Sequence, residues 1–310
     1  MGRKRRGQPI HGWVAIDKPT GRTSAQVTAK VRRMLDAAKA GHGGTLDPIA
    51  TGVLPIALGE ATKTVSYVMD GQKRYRFTVR WGEERTTDDL EGDVTNVNAG
   101  RPSEAEILSV LPEFIGVIEQ VPPDFSAIKL DGKRAYDLAR AGKVVTIAKR
   151  EVYIEEFSLV SMPDEDHAVF EVASGKGTYM RSLARDIARR LGTVGHIAEL
   201  RRTHCGPFSE TASISLESLE TLVHSAAPSA YLLAVETALD DIPALALNAA
   251  QADHLRHGRP VRVQGPGGHS FVETGSLVDG DVFCAMADGQ PVALARFTGG
   301  EIRAVRVLNI

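Results

Sequence analysis

The chain has 310 residues, of which 43% are hydrophobic and 25% are charged, and its formal net charge is −2. This composition indicates a globular protein long enough for a large core and a second, smaller unit, and it excludes a polycation, so any nucleic-acid site must come from local basic patches. The two cysteines, Cys205 and Cys284, are too few for a disulfide framework or a cysteine-based zinc site, and they favour a reducing cytoplasm.

The N-terminus is basic, with Arg3-Lys4-Arg5-Arg6 in succession. No apolar segment follows these residues, and no apolar run approaches the length of a membrane span. We therefore interpret residues 1–9 as a solvated tail that adds weak, salt-sensitive affinity for a polyanion.

A glycine-rich loop follows a predicted strand over residues 13–16 and a helix capped near residues 23–24. Its sequence is Gly41-His42-Gly43-Gly44-Thr45-Leu46-Asp47-Pro48. Such clusters are usually turns, but Pro48 also biases Asp47 toward an extended backbone, and glycines let a ligand approach closely. The glycines have neither the P-loop nor the dinucleotide-binding spacing. Two interpretations remain, a plain turn or a loop that presents one acid to a substrate.

The middle of the chain alternates strands and helices. Residues 74–81 alternate basic with apolar or aromatic residues, which predicts a strand with one charged face. Residues 83–93 are acidic and rich in turn formers, and we expect a solvated loop. Ser103-x-x-Glu106 fits a capping box and predicts the start of a helix.

Residues 120–150 have the composition of a basic insertion. We expect a helix over 133–141, ended by Gly142. Between residues 129 and 150 there are seven basic residues and two acidic ones. Either a solvated helix or a phosphate-facing element accounts for that excess.

Two further strands, over 152–160 and 168–173, lead to a glycine-rich turn and a helix capped near Thr178 and ended by Gly192. The helix has an apolar stripe, and arginines recur on another face at positions 181, 185 and 189. Beyond residue 240, short apolar runs alternate with Gly and Pro, which predicts a small β-rich unit over 241–310. Its charge is balanced, with six basic and six acidic residues over 245–310.

Several of these segments together, in this order and spacing, resemble the bacterial TruB-type tRNA pseudouridine synthases. The resemblance covers roughly residues 10–240. It is carried by Asp17-Lys18-Pro19-x-Gly21-x-Thr23-Ser24, the 41–54 loop, Gly59-x-Ala61-Thr62-Lys63, Lys73-Arg74-Tyr75, Ser126-Ala127-x-Lys129-x-x-Gly132-Lys133-Arg134-Ala135-Tyr136, Lys176-Gly177-Thr178-Tyr179-x-Arg181-Ser182-Leu183 and Leu200-Arg201-Arg202-Thr203.

The resemblance implies an α+β fold. A catalytic domain over 10–240, with flanking helices on a mixed, largely antiparallel sheet, carries the 120–150 insertion, and a small β-rich PUA-like domain over 241–310 follows. It also implies an isomerase that converts a T-loop uridine, position 55, in tRNA to pseudouridine, with base flipping. We expect no metal or other cofactor, no membrane association, a cytoplasmic location and a monomer that contacts the T-arm.

The resemblance also assigns site residues. Asp47 matches the essential aspartate, as a nucleophile or as the group that stabilises a sugar-derived intermediate. Tyr75 matches the active-site tyrosine that stacks on the target base, and Arg181 matches the arginine that pairs with the aspartate. His42 matches a histidine that enters the T-loop where the base leaves. The remaining substrate-binding residues implied are Lys18, Lys63, Lys129, Lys176, Tyr179 and Leu200, the last of them packing on the flipped base.

One departure concerns Ser174-Gly175, where the family often has Cys-Ser; it affects the geometry of that turn and not the activity expected. Three other functions stay open. Asp17-Lys18-Pro19-Thr20-Gly21 faintly resembles an aspartyl-phosphate loop, although Pro19 breaks the match. A non-catalytic tRNA-binding or tRNA-folding protein would use the same basic insertion, and a guide-RNA-dependent pseudouridine synthase belongs to the same superfamily.

Overall fold

The computed structural model describes residues 7–126, 128–130, 133–141, 146–262 and 278–310. The predicted basic tail lies outside the described residues except for residues 7–9, and so do parts of the basic insertion. The side chain of Lys129 also lies outside the described part.

The strands of the described residues are β1 (Gly12–Lys18), β2 (Ala40–His42), β3 (Thr51–Leu58), β4 (Lys73–Trp81), β5 (Glu83–Arg85), β6 (Val94–Val97), β7 (Gly116–Gln120), β8 (Lys129–Leu130), β9 (Lys133–Arg134), β10 (Arg150–Asp164), β11 (His167–Ser174), β12 (Gly195–Cys205), β13 (Phe208–Ser209), β14 (Ala244–Ala246), β15 (Val261–Arg262), β16 (Val282–Ala287), β17 (Gln290–Thr298) and β18 (Glu301–Val307). The α-helices are α1 (Ser24–Met34), α2 (Val65–Asp70), α3 (Glu104–Val110), α4 (Ala135–Arg140), α5 (Met180–Arg190), α6 (Leu216–Ser225) and α7 (Ala249–Arg256). Within the described ranges, none of these helices has the length and hydrophobicity to cross a bilayer.

A nine-stranded sheet organises residues 12–209, with the order β1-β3-β12-β4-β11-β10-β7, while β2 pairs with β3 and β13 with β12. All of its pairs are antiparallel except β3 with β12, where Arg201 pairs with Thr51 and Arg202 with Gly52. The sheet is therefore mixed and largely antiparallel, and the predicted α+β class is confirmed. The parallel pair matters for function because it places β12 beside the end of the glycine-rich loop.

The flanking helices follow their sequence signals. Thr23 and Gln26 form a capping box at the start of α1, and Ser103 and Glu106 form one at the start of α3. Helix α5 buries its apolar stripe in the main core, where Leu183 is fully buried. This packing fixes the position of α5 against the sheet, and with it the arginines on its other face.

A second, five-stranded sheet, with the order β14-β16-β17-β18-β15, has its own hydrophobic core against α7. The chain then returns to the first unit. Leu308 is 2% exposed and packs in a cluster with Trp13 and Phe208. The Lys63 ammonium donates to the carbonyl of Val307 at 2.7 Å, so the end of the chain ties the two sheets together.

Two predictions were wrong in detail. The helix expected over 133–141 begins only at Ala135, because residues 133–134 pair with β8 as strand β9, and Gly142 lies outside the described residues. The stretch 83–93 is not a solvated loop. Its first three residues are strand β5 of the β5–β6 hairpin, and the rest is the hairpin turn, which buries Asp88 and Asp89, 8% and 2% exposed. Arginines of α5 compensate both carboxylates.

Candidate active site

Asp47 lies on the glycine-rich loop with its side chain 34% exposed. The residue before it is fixed by Ser24, the first residue of α1, which is 2% exposed. The Leu46 N–H donates to Ser24 Oγ at 2.8 Å, and that hydroxyl donates to the Leu46 carbonyl at 3.0 Å. One buried serine thus satisfies both backbone groups of Leu46 and sets how the neighbouring acid is presented.

The other side of the loop is held by Lys18 at the end of β1. Its ammonium group donates to the carbonyls of Ala50 at 2.6 Å, Pro19 at 2.9 Å and Pro48 at 3.1 Å. Burial lowers the pKa of Lys18 to about 8, although the Asp47 carboxylate opposes the shift. Because all three ammonium hydrogens have acceptors inside the protein, Lys18 holds the loop and does not present a donor at the surface for a phosphate.

Arg181, in the first turn of α5, reaches the carboxylate from the opposite side and is 4% exposed. Its Nε lies 3.0 Å from Asp47 Oδ2. The two groups form an ion pair, but the Nε–H bond does not point at the carboxylate oxygen closely enough for a hydrogen bond. The two terminal nitrogens donate to the carbonyls of Thr87 and Phe125, each at 2.9 Å. The guanidinium plane is therefore fixed by backbone from two different segments.

A second carboxylate faces the same arginine. Asp89 Oδ2 lies 3.6 Å from Arg181 Nε. The other oxygen of Asp89 accepts from Thr87 Oγ1 at 2.5 Å and from the Glu91 N–H at 3.0 Å. Arg181 therefore lies between a buried acid that accepts two hydrogen bonds from its own turn and a half-exposed acid that a substrate can reach.

Tyr75 and Arg202 face each other across β4 and β12. Arg202 is 1% exposed and donates to the carbonyls of Val53 at 2.8 Å and Gly44 at 3.2 Å. Burial raises the pKa of Tyr75, although the positive charge of the Arg202 guanidinium opposes that shift. The phenol therefore stays protonated through the neutral range, beside the loop that carries the acid.

His42 is the last residue of β2, pairs with Ile56 of β3, and is half-buried. Burial lowers its pKa, and the positive charge of Arg202 lowers it further, while the nearby backbone of Gly44 opposes both effects. The imidazole is therefore neutral at neutral pH. A neutral ring at the loop surface is suited to stacking between bases.

Leu200 and Tyr179 lie at the margins of this arrangement. Leu200 is 8% exposed on β12 and belongs to the core cluster against which Tyr75 packs. Tyr179 precedes α5, and its N–H and carbonyl bond the Gln120 side chain at 2.8 and 3.1 Å. The guanidinium of Arg150 lies 4.8 Å from the Tyr179 ring centroid.

The remaining lysines are dispersed. Lys63 bridges Glu60 at 2.6 Å and the Val307 carbonyl, at the junction of the two sheets. Lys176 is an exposed cation, 69% accessible, paired with Asp70 at 2.9 Å. Asp47 contacts Arg181, Tyr75 and His42 both lie within electrostatic reach of Arg202, and Leu200 is on the same strand as Arg202. Lys63 and Lys176 make their contacts elsewhere.

Arg202 and Asp89 also belong to this arrangement, although neither was predicted from the sequence. Arg202 could have been predicted to be buried from the Arg201-Arg202 pair. Consecutive side chains on a strand point to opposite faces of the sheet, so in a strand covered on one face one of the two arginines faces the protein interior. Asp89 could have been found from the periodic arginines of α5, since a buried arginine needs an acid or carbonyl partners. Among the described residues, no group of three or more His, Cys, Asp or Glu side chains is arranged to hold a metal ion.

The arrangement is an accessible carboxylate paired with a buried arginine, with a protonated phenol nearby. Such a carboxylate is equipped for nucleophilic attack or for stabilising a cationic sugar. The Lys18 ammonium adds a positive charge behind the loop, felt by Asp47 electrostatically.

Comparison with known proteins identifies the family. Residues 32–180 match the model of the TruB family pseudouridylate synthase N-terminal domain, and residues 181–240 match the tRNA pseudouridylate synthase B C-terminal domain. The chain is 52% identical to tRNA pseudouridine synthase B of Rhodospirillum rubrum over 100% of both chains. It is 53% identical to the protein of that name from Bradyrhizobium diazoefficiens, over 99% of this chain and 88% of the relative.

A solved structure of a Cbf5–Nop10–Gar1 complex contains a similar chain. The TM-score is 0.74 at 27% identity, covering 96% of this chain and 85% of that one. The fold, the sequence models and the full-length relatives agree, and this chain belongs to the TruB family of pseudouridylate synthases.

Proposed function

We propose that this chain is a tRNA pseudouridine synthase that acts in the cytoplasm, as a monomer, on the T-loop uridine at position 55. The observation that carries the proposal is the half-exposed Asp47 carboxylate, 3.0 Å from the buried Arg181 guanidinium. Relatives about half identical over their full length bear the name tRNA pseudouridine synthase B, which supports the choice of substrate.

The reaction is an isomerisation. The bond between N1 of uracil and C1′ of ribose breaks, the base rotates, and a bond forms between C5 and C1′. The hydrogen on C5 leaves as a proton, and N1 gains one, so no redox equivalent is consumed. Asp47 is the group placed to act, either as the nucleophile or as the counter-charge to the sugar, while the Arg181 ion pair orients its carboxylate.

Tyr75 and Leu200 form the expected binding surface for the flipped base. A uridine within a folded loop is unreachable until it leaves the stack. On the neighbouring strands β4 and β12, Tyr75 pairs with Arg202 and Phe77 pairs with Leu200, so Tyr75 and Leu200 lie on the same face of the sheet. Together they offer an aromatic ring and an apolar side chain to the base. We assign His42 to the gap in the T-loop, because a neutral, half-buried imidazole flanked by Gly41 and Gly43 can stack without carrying a charge.

Of the other predicted RNA-binding residues, some are proposed to contact the tRNA and two are assigned to contacts within the protein. Lys176 is exposed and available to a phosphate once its pair with Asp70 opens, at a cost typical of surface pairs. The Tyr179 ring stacks against Arg150, the last residue of the basic 120–150 insertion. We propose that Tyr179 and Lys129 both contact the T-arm. We assign Lys18 to the loop that presents Asp47, and Lys63 to the junction with the C-terminal sheet.

A guide-RNA-dependent enzyme is the second candidate, because the sequence resemblance leaves it open and the similar solved chain comes from a complex of several components, Cbf5–Nop10–Gar1. Its identity of 27% is about half that of the tRNA pseudouridine synthase B relatives, at 52% and 53%. That difference favours a stand-alone enzyme. A purely RNA-binding role gives no reason to hold an accessible acid against a buried arginine.

The test is to incubate the purified chain with an unmodified tRNA transcript and no other factor, and to map pseudouridine by sequence position. We expect modification at position 55 alone, and none in a transcript with cytidine there. Pseudouridine elsewhere would overturn the choice of position, and activity only after addition of a guide RNA would support the second candidate.

A further inference from the structure

Helix α5 carries a second buried arginine one turn after Arg181. Residues four apart lie on the same side of a helix, so the two side chains point the same way. Arg185 is 9% exposed. Its Nη1 donates to Asp88 Oδ2 at 2.9 Å, its Nη2 to the carbonyl of Val121 at 2.8 Å, and its Nε to Asp186 at 2.9 Å.

The two arginines connect the same pair of segments. One is the acidic turn over residues 86–93, where Arg181 binds the Thr87 carbonyl and Arg185 binds Asp88. The other is the 121–126 segment, where Arg181 binds the Phe125 carbonyl and Arg185 binds that of Val121. Each backbone carbonyl that Arg181 binds thus lies within four residues of a partner of Arg185.

The turn that Asp88 anchors is tightly constrained. Asp88 has φ 59°, in the left-handed region that most residues avoid, and is 8% exposed. Its carbonyl accepts from the Ile197 N–H of β12 at 3.0 Å, and its own N–H donates to the Arg85 carbonyl at 3.0 Å. Movement of Asp88 would therefore carry Thr87 and Asp89 with it, and both contact Arg181.

We propose that Arg185 and Asp88 are a positioning pair for the reaction: they fix the acidic turn and the 121–126 segment so that Arg181 holds the Asp47 carboxylate in its reactive orientation. The proposal rests on the proposed function. Neither member touches the reacting atoms. A displacement of about 1 Å at a catalytic group lowers rates by up to roughly 100-fold, so the pair is expected to act on the chemical step and not on RNA affinity.

The helix supplies a matched control. Arg189, one further turn along, also pairs with an acid of the same hairpin, Glu84, at 2.5 Å. The side chain of Arg189 is 56% exposed. Its ion pair is with the hairpin, whereas Arg181 and Arg185 also bind the 121–126 segment. Arg189→Gln removes the same charge from the same helix face without opening the buried contacts.

The experiment measures single-turnover pseudouridine formation, with enzyme in excess over the tRNA transcript, and the tRNA dissociation constant. For Arg185→Gln we expect a rate constant lower by roughly 10- to 100-fold with a dissociation constant within about twofold of wild type. Arg185→Lys keeps the pair with Asp88 but not the fork to Val121 and is expected to fall in between. Arg189→Gln is expected to match wild type.

Asp88→Asn is the second variant, in case Arg185→Gln folds poorly. It leaves Arg185 its contacts with Asp186 and Val121 and is expected to lower the rate constant in the same way while remaining folded. Wild-type rates in folded Arg185→Gln and Asp88→Asn would overturn the pairing, as would a loss confined to tRNA affinity. An inactive wild-type enzyme would instead refute the proposed function.

Discussion

The Arg181 guanidinium joins the loop of Asp47 to helix α5, with Nε 3.0 Å from the Asp47 carboxylate. The same guanidinium donates to backbone carbonyls from the acidic turn and from the 121–126 segment. The Asp47 carboxylate is thus oriented by a group that is itself fixed at two other points.

Arg181→Lys is expected to lower the rate of pseudouridine formation by about 100-fold, as for loss of a preorganised polar contact. A lysine keeps the charge but has no planar fork to reach the Thr87 and Phe125 carbonyls while facing Asp47. The measurement is the single-turnover rate constant with Arg189→Lys as control. A wild-type rate in Arg181→Lys would show that charge alone is sufficient.

Ser24→Ala tests whether the loop must be held from α1. It removes the acceptor of the Leu46 N–H and the donor to the Leu46 carbonyl, both in a buried position. We expect a loss of roughly 1–3 kcal/mol in unfolding free energy and a slower reaction. Thr28→Ala, which removes only a bond to a helix carbonyl, is expected to cost about 0.5 kcal/mol or less. Equal effects of the two variants would contradict the assignment.

Gly52→Ala tests the close approach of β3 to β12. Gly52 has φ +97°, and a Cβ there would lie 2.2 Å from the Arg202 carbonyl oxygen. Gly21→Ala is the control, because Gly21 has φ +77° with open space around it. We expect Gly21→Ala to cost about 1–3 kcal/mol through backbone strain alone, and Gly52→Ala to cost clearly more. Urea denaturation measures both, and equal midpoints would argue against the steric account.

Asp88 makes folding depend on pH. Burial raises its pKa from 3.8 to about 6, although Arg185, Arg181 and Arg189 oppose the shift. The folded state therefore holds this proton more tightly than the unfolded state, so the contribution of Asp88 to stability falls as pH rises from about 4 through 6. The shift corresponds to about 3 kcal/mol.

We accordingly expect Asp88→Asn to gain in unfolding free energy relative to wild type as pH rises over that range, with no further gain above about pH 7. Denaturation curves at pH 4.5, 6 and 7.5 measure the difference. A difference that is constant with pH would contradict the raised pKa.

Much of the candidate site could be predicted from the sequence, but the buried contacts that hold it in place could not. Asp47, Tyr75 and Arg181 could be singled out because their motifs occur in register, and the α1 and α3 capping boxes could be predicted because caps are local. The burial of Lys18 could not be predicted, since it depends on three carbonyls, two of which lie 30 and 32 residues away. Burial of the acidic turn likewise depends on α5, which follows it by some ninety residues.

We expect Asp47 to perform the chemistry, while the groups around it bind the tRNA and orient the carboxylate. The most direct test is to map pseudouridine in a tRNA transcript after incubation with wild type and Asp47→Asn, with tRNA affinity measured for both. We predict modification at position 55 by the wild type, none by Asp47→Asn, and closely similar dissociation constants. A near-normal rate of modification by Asp47→Asn would contradict the account.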